Sequence, residues 1–239
     1  MALMENTVQY FDGEVTLEAF YAFDDSMSGQ RPAVLISHTW AGRNDFIMEK
    51  ARKIAGLGYV GFALDMYGNA KVGSDNEENM NLMRPFMTDR IMLQQRITAA
   101  IHAVKQLPWV DENKIAAMGF CFGGLCVLDL ARTGVDIKGV VSFHGLLGAP
   151  GNTQGNKIKA KVLVLHGYDD PMATPQQTVA FQDEMTAARA DWQFVSYGNT
   201  MHAFTNPIAN DPGFGTVYQP DADRRSWQTM QSFFTEIFA

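Results

Sequence analysis

Six runs of mostly apolar residues set the limits on this chain: "AVLISH" (33–38), "YVGFALD" (59–65), "KIAAMGF" (114–120), "IKGVVSFH" (137–144), "AKVLVLHG" (160–167) and "WQFVSYG" (192–198). Each has the length of a strand. Their near-continuous apolar character suits strands buried on both faces, as in a parallel sheet covered by helices. Between and after them lie stretches of helical periodicity near 44–56, 88–106, 122–133, 175–189 and 221–238. Parallel neighbours need a crossover connection, usually a helix, and here almost every run is followed by one. The predicted class is therefore α/β, a doubly wound and mostly parallel sheet with helices on both faces. Ahead of it, "VQYF" and "VTLEAFYAF" flank "DGE" and predict an opening antiparallel hairpin. In the last helical stretch Trp227, Met230, Phe234 and Ile237 share one face, which predicts packing on the sheet.

With 239 residues, 46% of them hydrophobic, the chain can bury one large core. No composition shift, repeat or low-complexity tract divides it, so residues 1–239 are expected to form a single domain. Two polar segments, 68–81 and 149–157, read as loops, the first as a lid candidate. The net charge of −7 argues against a nucleic-acid partner or an anionic membrane surface. No apolar run approaches the roughly 18 residues that a membrane span needs. The opening "MALMENTVQYFDG" lacks the charged-then-apolar layout of a secretory signal, so a cytoplasmic location is expected. The two cysteines, Cys121 and Cys126, lie in one short segment and suggest neither a disulfide framework nor a C-x-x-C site. Reduced thiols are expected.

Cys121 stands in Gly119-Phe120-Cys121-Phe122-Gly123, between a predicted strand and a predicted helix. That is the G-x-nucleophile-x-G spacing of a nucleophile elbow, with cysteine in the nucleophile's place. The glycines leave room at a turn too sharp for side chains, and the helix N-terminus favours a thiolate. The competing reading is a structural cysteine in a Gly-rich turn. A nucleophile also needs a base and an orienting acid, in this kind of sheet in the order nucleophile, acid, histidine. "HGYDDP" supplies Asp170 after one later strand and "MHAF" supplies His202 after the next. Both lie at carboxyl ends of strands, where open α/β sheets place their sites. Asp169 competes with Asp170, which is preferred because a residue before proline is held extended. His38, His144 and His166 also lie at strand ends, but none follows a candidate acid in the required order. His102 falls mid-helix, and Cys126 reads as core packing. The histidines show no metal-ligand spacing, so no metal or cofactor is expected.

From "PAVLISHTWAGRNDFIMEKARKIAGLGYVGFALDMYG" through "GFCFGG", "HGYDDP" and "MHAF", the chain resembles the dienelactone hydrolases, cysteine-dependent members of the α/β-hydrolase fold. The resemblance implies a triad of Cys121, Asp170 and His202. It also implies an oxyanion hole made by the backbone N–H groups of Phe122 and Trp40. Two positions depart from the family pattern. Thr39, after His38, stands where the family has a glutamate that holds the thiol, and Asn206 stands where it has an arginine that clamps a substrate carboxylate. Arg84 is a candidate alternative anion contact. Phe86, Phe122, Phe204 and Trp40 are candidate pocket walls, with Thr39, His38 and Asn206 beside them. The expected function is hydrolysis of neutral carboxylic esters, aryl esters or lactones, through an acyl-enzyme. Alternatives are phosphotriester hydrolysis or acyl transfer on the same triad, and a non-catalytic binding module. The expected partner is a small-molecule ester, and the expected assembly a monomer or homodimer.

Overall fold

The computed structural model describes residues 2–239. Its elements in chain order are β1 (Leu3–Asp12), β2 (Val15–Asp24), β3 (Arg31–Ser37), α1 (Asp45–Ala55), β4 (Val60–Ala63), α2 (Asn76–Thr88), α3 (Arg90–Lys105), β5 (Val110–Phe120) and α4 (Phe122–Arg132). They continue with β6 (Gly139–Phe143), β7 (Lys161–Gly167), α5 (Pro175–Ala187), β8 (Trp192–Tyr197), β9 (Asn210–Asp211), β10 (Thr216–Val217) and α6 (Pro220–Phe238). An eight-stranded, mostly parallel sheet runs in the order β1-β2-β4-β3-β5-β6-β7-β8. The alternation of apolar runs and helices thus forms the predicted α/β architecture. Among the described residues no helix is long and apolar enough to cross a membrane. By internal contacts the chain divides into two compact units, Met1–Met118 and Gly119–Ala239.

In the first unit β1 and β2 form the predicted antiparallel hairpin, with Asp12 opposite Val15. Gly13 takes a positive φ of 58° in the turn, a conformation glycine adopts without steric cost. β2 pairs antiparallel with β4, and β4 pairs parallel with β3. Asp65, two residues past β4, organises the next loop. Its carboxylate accepts backbone N–H bonds from Glu18, Tyr67, Gly68 and Ala70, at 2.8–3.2 Å. Those bonds hold Asn69 and Ala70, both at φ 52°. The expectation of a polar loop over 68–81 needs correction, because α2 begins at Asn76. Cap chemistry is the reason: Asp75 accepts the Glu78 N–H at 2.9 Å, and Glu77 and Glu78 suit the positive helix end.

In the second unit β6, β7 and β8 pair in parallel. α6 lays Met230, Phe233, Phe234 and Ile237 toward β6 and β7. Trp227, expected on that face, is half-buried, and Phe233 is buried alongside the others. A side chain at Gly139 would strike Phe233 and Ile237, so glycine there admits the helix. α4 is buried along its whole length. Its last residue, Arg132, is 1% exposed and bonds Asp129, Glu184 of α5 and the Leu147 carbonyl. A buried guanidinium is tolerable only with such full pairing. These bonds anchor the helix whose N-terminal cap is Cys121.

Candidate active site

β5 ends at Phe120 and α4 starts at Phe122, leaving Cys121 alone to make the turn. Its backbone sits at φ 57°, ψ −117°, a sparsely populated region for a residue with a Cβ. Such strain persists only where the surroundings enforce it. Here the Cys121 N–H donates to Phe143 O at the end of β6 (3.0 Å), and Cys121 O accepts from Gly124 N (3.0 Å). A Cβ on Gly119 would fall on the Gly123 carbonyl, so the glycine ahead of the turn is a steric requirement. Cys121 is half-buried while Cys126 is fully buried, the packing residue its sequence position suggested. Phe122 is the first residue of α4, where backbone N–H groups turn out of the helix end.

Asp170 and His202 reach the site from loops after β7 and β8. Asp170 is buried while Asp169 is exposed. One carboxylate oxygen of Asp170 accepts the Met172 N–H at 2.8 Å; the other lies 2.7 Å from His202 Nδ1. The His202 backbone is held on both sides, its N–H donating to Gly215 O and its carbonyl accepting from Val217 N, each at 3.0 Å. Its other ring nitrogen, Nε2, is buried and meets no oxygen or nitrogen partner among the described residues. Burial of the ring opposes its charged form. The negative charge and hydrogen bond of Cys121, with the hydrogen bond and charge of Asp170, outweigh that and push His202 up to about 10. Cys121 and Asp170 therefore both act electrostatically on the His202 ring, and Asp170 also holds it at Nδ1.

The remaining histidines do different things. His166, at the end of β7, is held below its ordinary range by burial, with Asp170 opposing that shift and His202 adding to it. His144, just past β6, lies with its ring centroid 5.0 Å from that of His202. His102 is exposed on α3. In the first unit His38 is fully buried, with Nδ1 2.6 Å from Thr39 O and Nε2 3.1 Å from Met66 N. Accepting the Met66 N–H at Nε2 leaves Nδ1 to carry the proton toward Thr39 O, and burial keeps the ring's pKa low. Both ring nitrogens thus serve the backbone.

The other sequence-derived candidates are placed as follows. Thr39 Oγ1 accepts from Ala41 N at 3.3 Å, and Trp40 O accepts the Tyr67 hydroxyl at 2.9 Å. Arg84 is exposed on α2. Phe86 is buried between the Tyr67 ring and the Arg96 guanidinium. In the second unit Phe122 and Phe204 are fully buried. Asn206 is half-buried, and its side-chain oxygen accepts the Ile208 N–H at 3.3 Å, shaping the turn after His202. Among the described residues no group of three or more His, Cys, Asp or Glu is placed to hold a metal ion. The pairing of His144 with Thr205 was not legible in the sequence, since 61 positions separate them and no local motif links them.

Residues 17–238 match the dienelactone hydrolase family. A crystal structure described as a dienelactone hydrolase-like promiscuous phosphotriesterase from metagenomic libraries superimposes with a TM-score of 0.94 at 38% identity, covering 100% of both chains. An uncharacterised protein of Caenorhabditis elegans is 40% identical over 153 residues, covering 62% of this chain and 95% of its own. A putative carboxymethylenebutenolidase of Yersinia pestis is 26% identical over 231 residues, covering 92% of this chain and 84% of its own. The match over nearly the whole length agrees with the resemblance read from the elbow and its downstream motifs. The chain belongs to the dienelactone hydrolase family.

Proposed function

We propose that this ester-bond hydrolase uses Cys121, His202 and Asp170 as a triad, acts on neutral carboxylic esters and passes through an acyl-enzyme. The observation that carries the reading is the 2.7 Å contact of Asp170 with His202 Nδ1, joined to the charge coupling between His202 and Cys121. A ring fixed at Nδ1 by a buried carboxylate presents Nε2 for proton transfer. Cys121 and Asp170 push the His202 pKa up and so favour its protonated ring, which on this reading rests as an imidazolium paired with the Cys121 sulfur.

The thiolate attacks the carbonyl carbon, forming a C–S bond and moving the carbonyl π pair onto oxygen. The Phe122 N–H is a donor for that oxyanion; one such donor contributes about 2.7–4 kcal/mol. As the tetrahedral species collapses, the C–O bond breaks and His202 Nε2 gives its proton to the departing alkoxide. The neutral imidazole next takes a proton from water, whose oxygen attacks the thioester carbonyl. The C–S bond breaks, and the acid leaves with the thiolate–imidazolium pair restored.

A second reading, thiolate attack at the phosphorus of a phosphotriester, is favoured by one observation. The structural neighbour with 38% identity is described as a promiscuous phosphotriesterase.

Substrate charge tests the proposal. Asn206 supplies no cation and its side-chain oxygen is engaged by Ile208 N–H. An unpaired carboxylate costs several kcal/mol to bury, whereas a neutral ester has no such penalty. The expected result is a kcat/KM for a short neutral aryl ester at least about tenfold above that for a carboxylate-bearing lactone of similar reactivity. Asn206→Arg should narrow the gap, mainly through KM for the lactone. A wild-type preference for the anionic lactone would overturn the neutral-ester assignment.

A further inference from the structure

His202 has a third neighbour that the proposed chemistry leaves without a task. His144 sits one residue past β6 at φ 38°, with its N–H donating to Leu165 O at 2.8 Å, so its backbone is fixed to the adjacent strand. Its Nε2 lies 2.8 Å from Thr205 Oγ1, and both residues are at most 1% exposed. Its ring meets His202 edge-to-face, with centroids 5.0 Å apart and planes at 65°. It meets Phe204 in the same manner, at 5.2 Å and 78°. One side chain thus touches residues 202, 204 and 205 of the turn that carries the proposed base. That turn includes Ala203 at φ 58° and is closed by an Asn206 N–H bond to Ala203 O.

We propose that His144 is a positioning residue: through Thr205 it pins the 202–206 turn, and through its ring face it restricts rotation of the His202 imidazole. The inference rests on the triad reading above. The Asp170 contact fixes Nδ1 of the His202 ring, and the ring can still rock within the angular tolerance of that single hydrogen bond. A second, non-ionic wall removes that freedom without competing for the proton. Among the described residues, His202 is contacted by Asp170 from the loop after β7 and by His144, and is influenced electrostatically by Cys121 from the cap of α4 and His166 from the end of β7. Holding Nε2 toward Cys121 keeps the sulfur paired with a cation as pH falls. A ring that rocks about its Nδ1 anchor spends time with Nε2 displaced from the sulfur, and the thiol then regains its proton at a higher pH. Displacements of about 1 Å in such an arrangement cost up to about 10²-fold in rate.

The test is the pH dependence of Cys121 alkylation by iodoacetamide, read by peptide mass spectrometry on wild type, Thr205→Val, Thr205→Ser and His144→Phe, with Tm measured for each. Wild type should keep a rate plateau well below the ordinary thiol range of about 8.5. Thr205→Val, which keeps shape and loses the hydroxyl, should lose about tenfold in alkylation rate near pH 6 and about tenfold in kcat, with KM within about twofold. His144→Phe, which keeps the ring and loses the bond, should behave likewise, and Thr205→Ser should restore wild-type values. The proposal is overturned if Thr205→Val keeps the wild-type alkylation profile and kcat. It is also overturned if the valine and serine variants lose rate alike, in step with a lowered Tm. Alkylation needs no ester turnover. A protein with the expected alkylation shifts but no ester hydrolysis would sink the functional reading alone, and one with turnover but no shift would sink the positioning role alone.

Discussion

Cys121→Ala should lower kcat for aryl esters by about 10⁴-fold or more while leaving the folded structure and Tm nearly unchanged. Both halves of that expectation come from the turn. The thiol is half-buried at the turn, and on the proposed mechanism alanine leaves His202 and Asp170 with no nucleophile to activate. Alanine also keeps a Cβ and no more, so it meets the same backbone at φ 57°, ψ −117° with no new clash. Removing a packed structural cysteine would behave differently. Stability would fall by about 1 kcal/mol or more from the vacated volume, and activity would fall only with the folded fraction. Steady-state kinetics and a thermal melt on the same preparation separate the two.

Asp170→Asn should be nearly as costly, with kcat down by about 10³–10⁴-fold and little change in KM. The carboxylate accepts from His202 Nδ1 at 2.7 Å and from Met172 N–H at 2.8 Å. An amide can offer its NH₂ to the ring, which favours the tautomer with its proton on Nε2 and turns the base into a donor toward sulfur. The substitution also removes a hydrogen bond and a charge that raise the His202 pKa. The direction of the pH effect follows. With His202 pushed up by Cys121 and Asp170, wild type should keep the imidazolium, and with it the proposed leaving-group acid, into alkaline pH. In the asparagine variant the alkaline limb of kcat/KM should move to lower pH, toward the ordinary histidine range. An unchanged alkaline limb would mean that Asp170 does not tune His202.

Much of this arrangement could be read before any coordinates. Unbroken apolar runs such as "KIAAMGF" and "AKVLVLHG" have one economical solution, burial in a sheet covered by helices. The five residues around Cys121 are informative because a sharp strand–helix turn excludes side chains at their ends, and Gly119 shows why: a Cβ there strikes the Gly123 carbonyl. Asp170 could be preferred over Asp169 because Pro171 restricts its backbone, and the geometry puts Asp170, not Asp169, on His202.

What escaped depends on longer-range or subtler physics. The start of α2 lies in a segment whose composition reads as loop, and only the Asp75 cap and its acidic first turn favour a helix there. His38 ends a strand as a site histidine would, yet its partners are the backbone of Thr39 and Met66, the latter 28 residues away. His144 and Thr205 meet only because the turn after β8 reaches past β7 to the end of β6, which no local pattern encodes.

The central claim is a covalent bond between the substrate's acyl group and Cys121. Rapid mixing of wild type with an activated aryl ester whose acyl group leaves slowly, followed by acid quench and intact-mass and peptide mass spectrometry, tests it directly. The account predicts a mass increase equal to one acyl group, located on the peptide carrying Cys121 and absent from Cys121→Ala. Full ester turnover by Cys121→Ala, or an acyl group found on another residue during turnover, would contradict it.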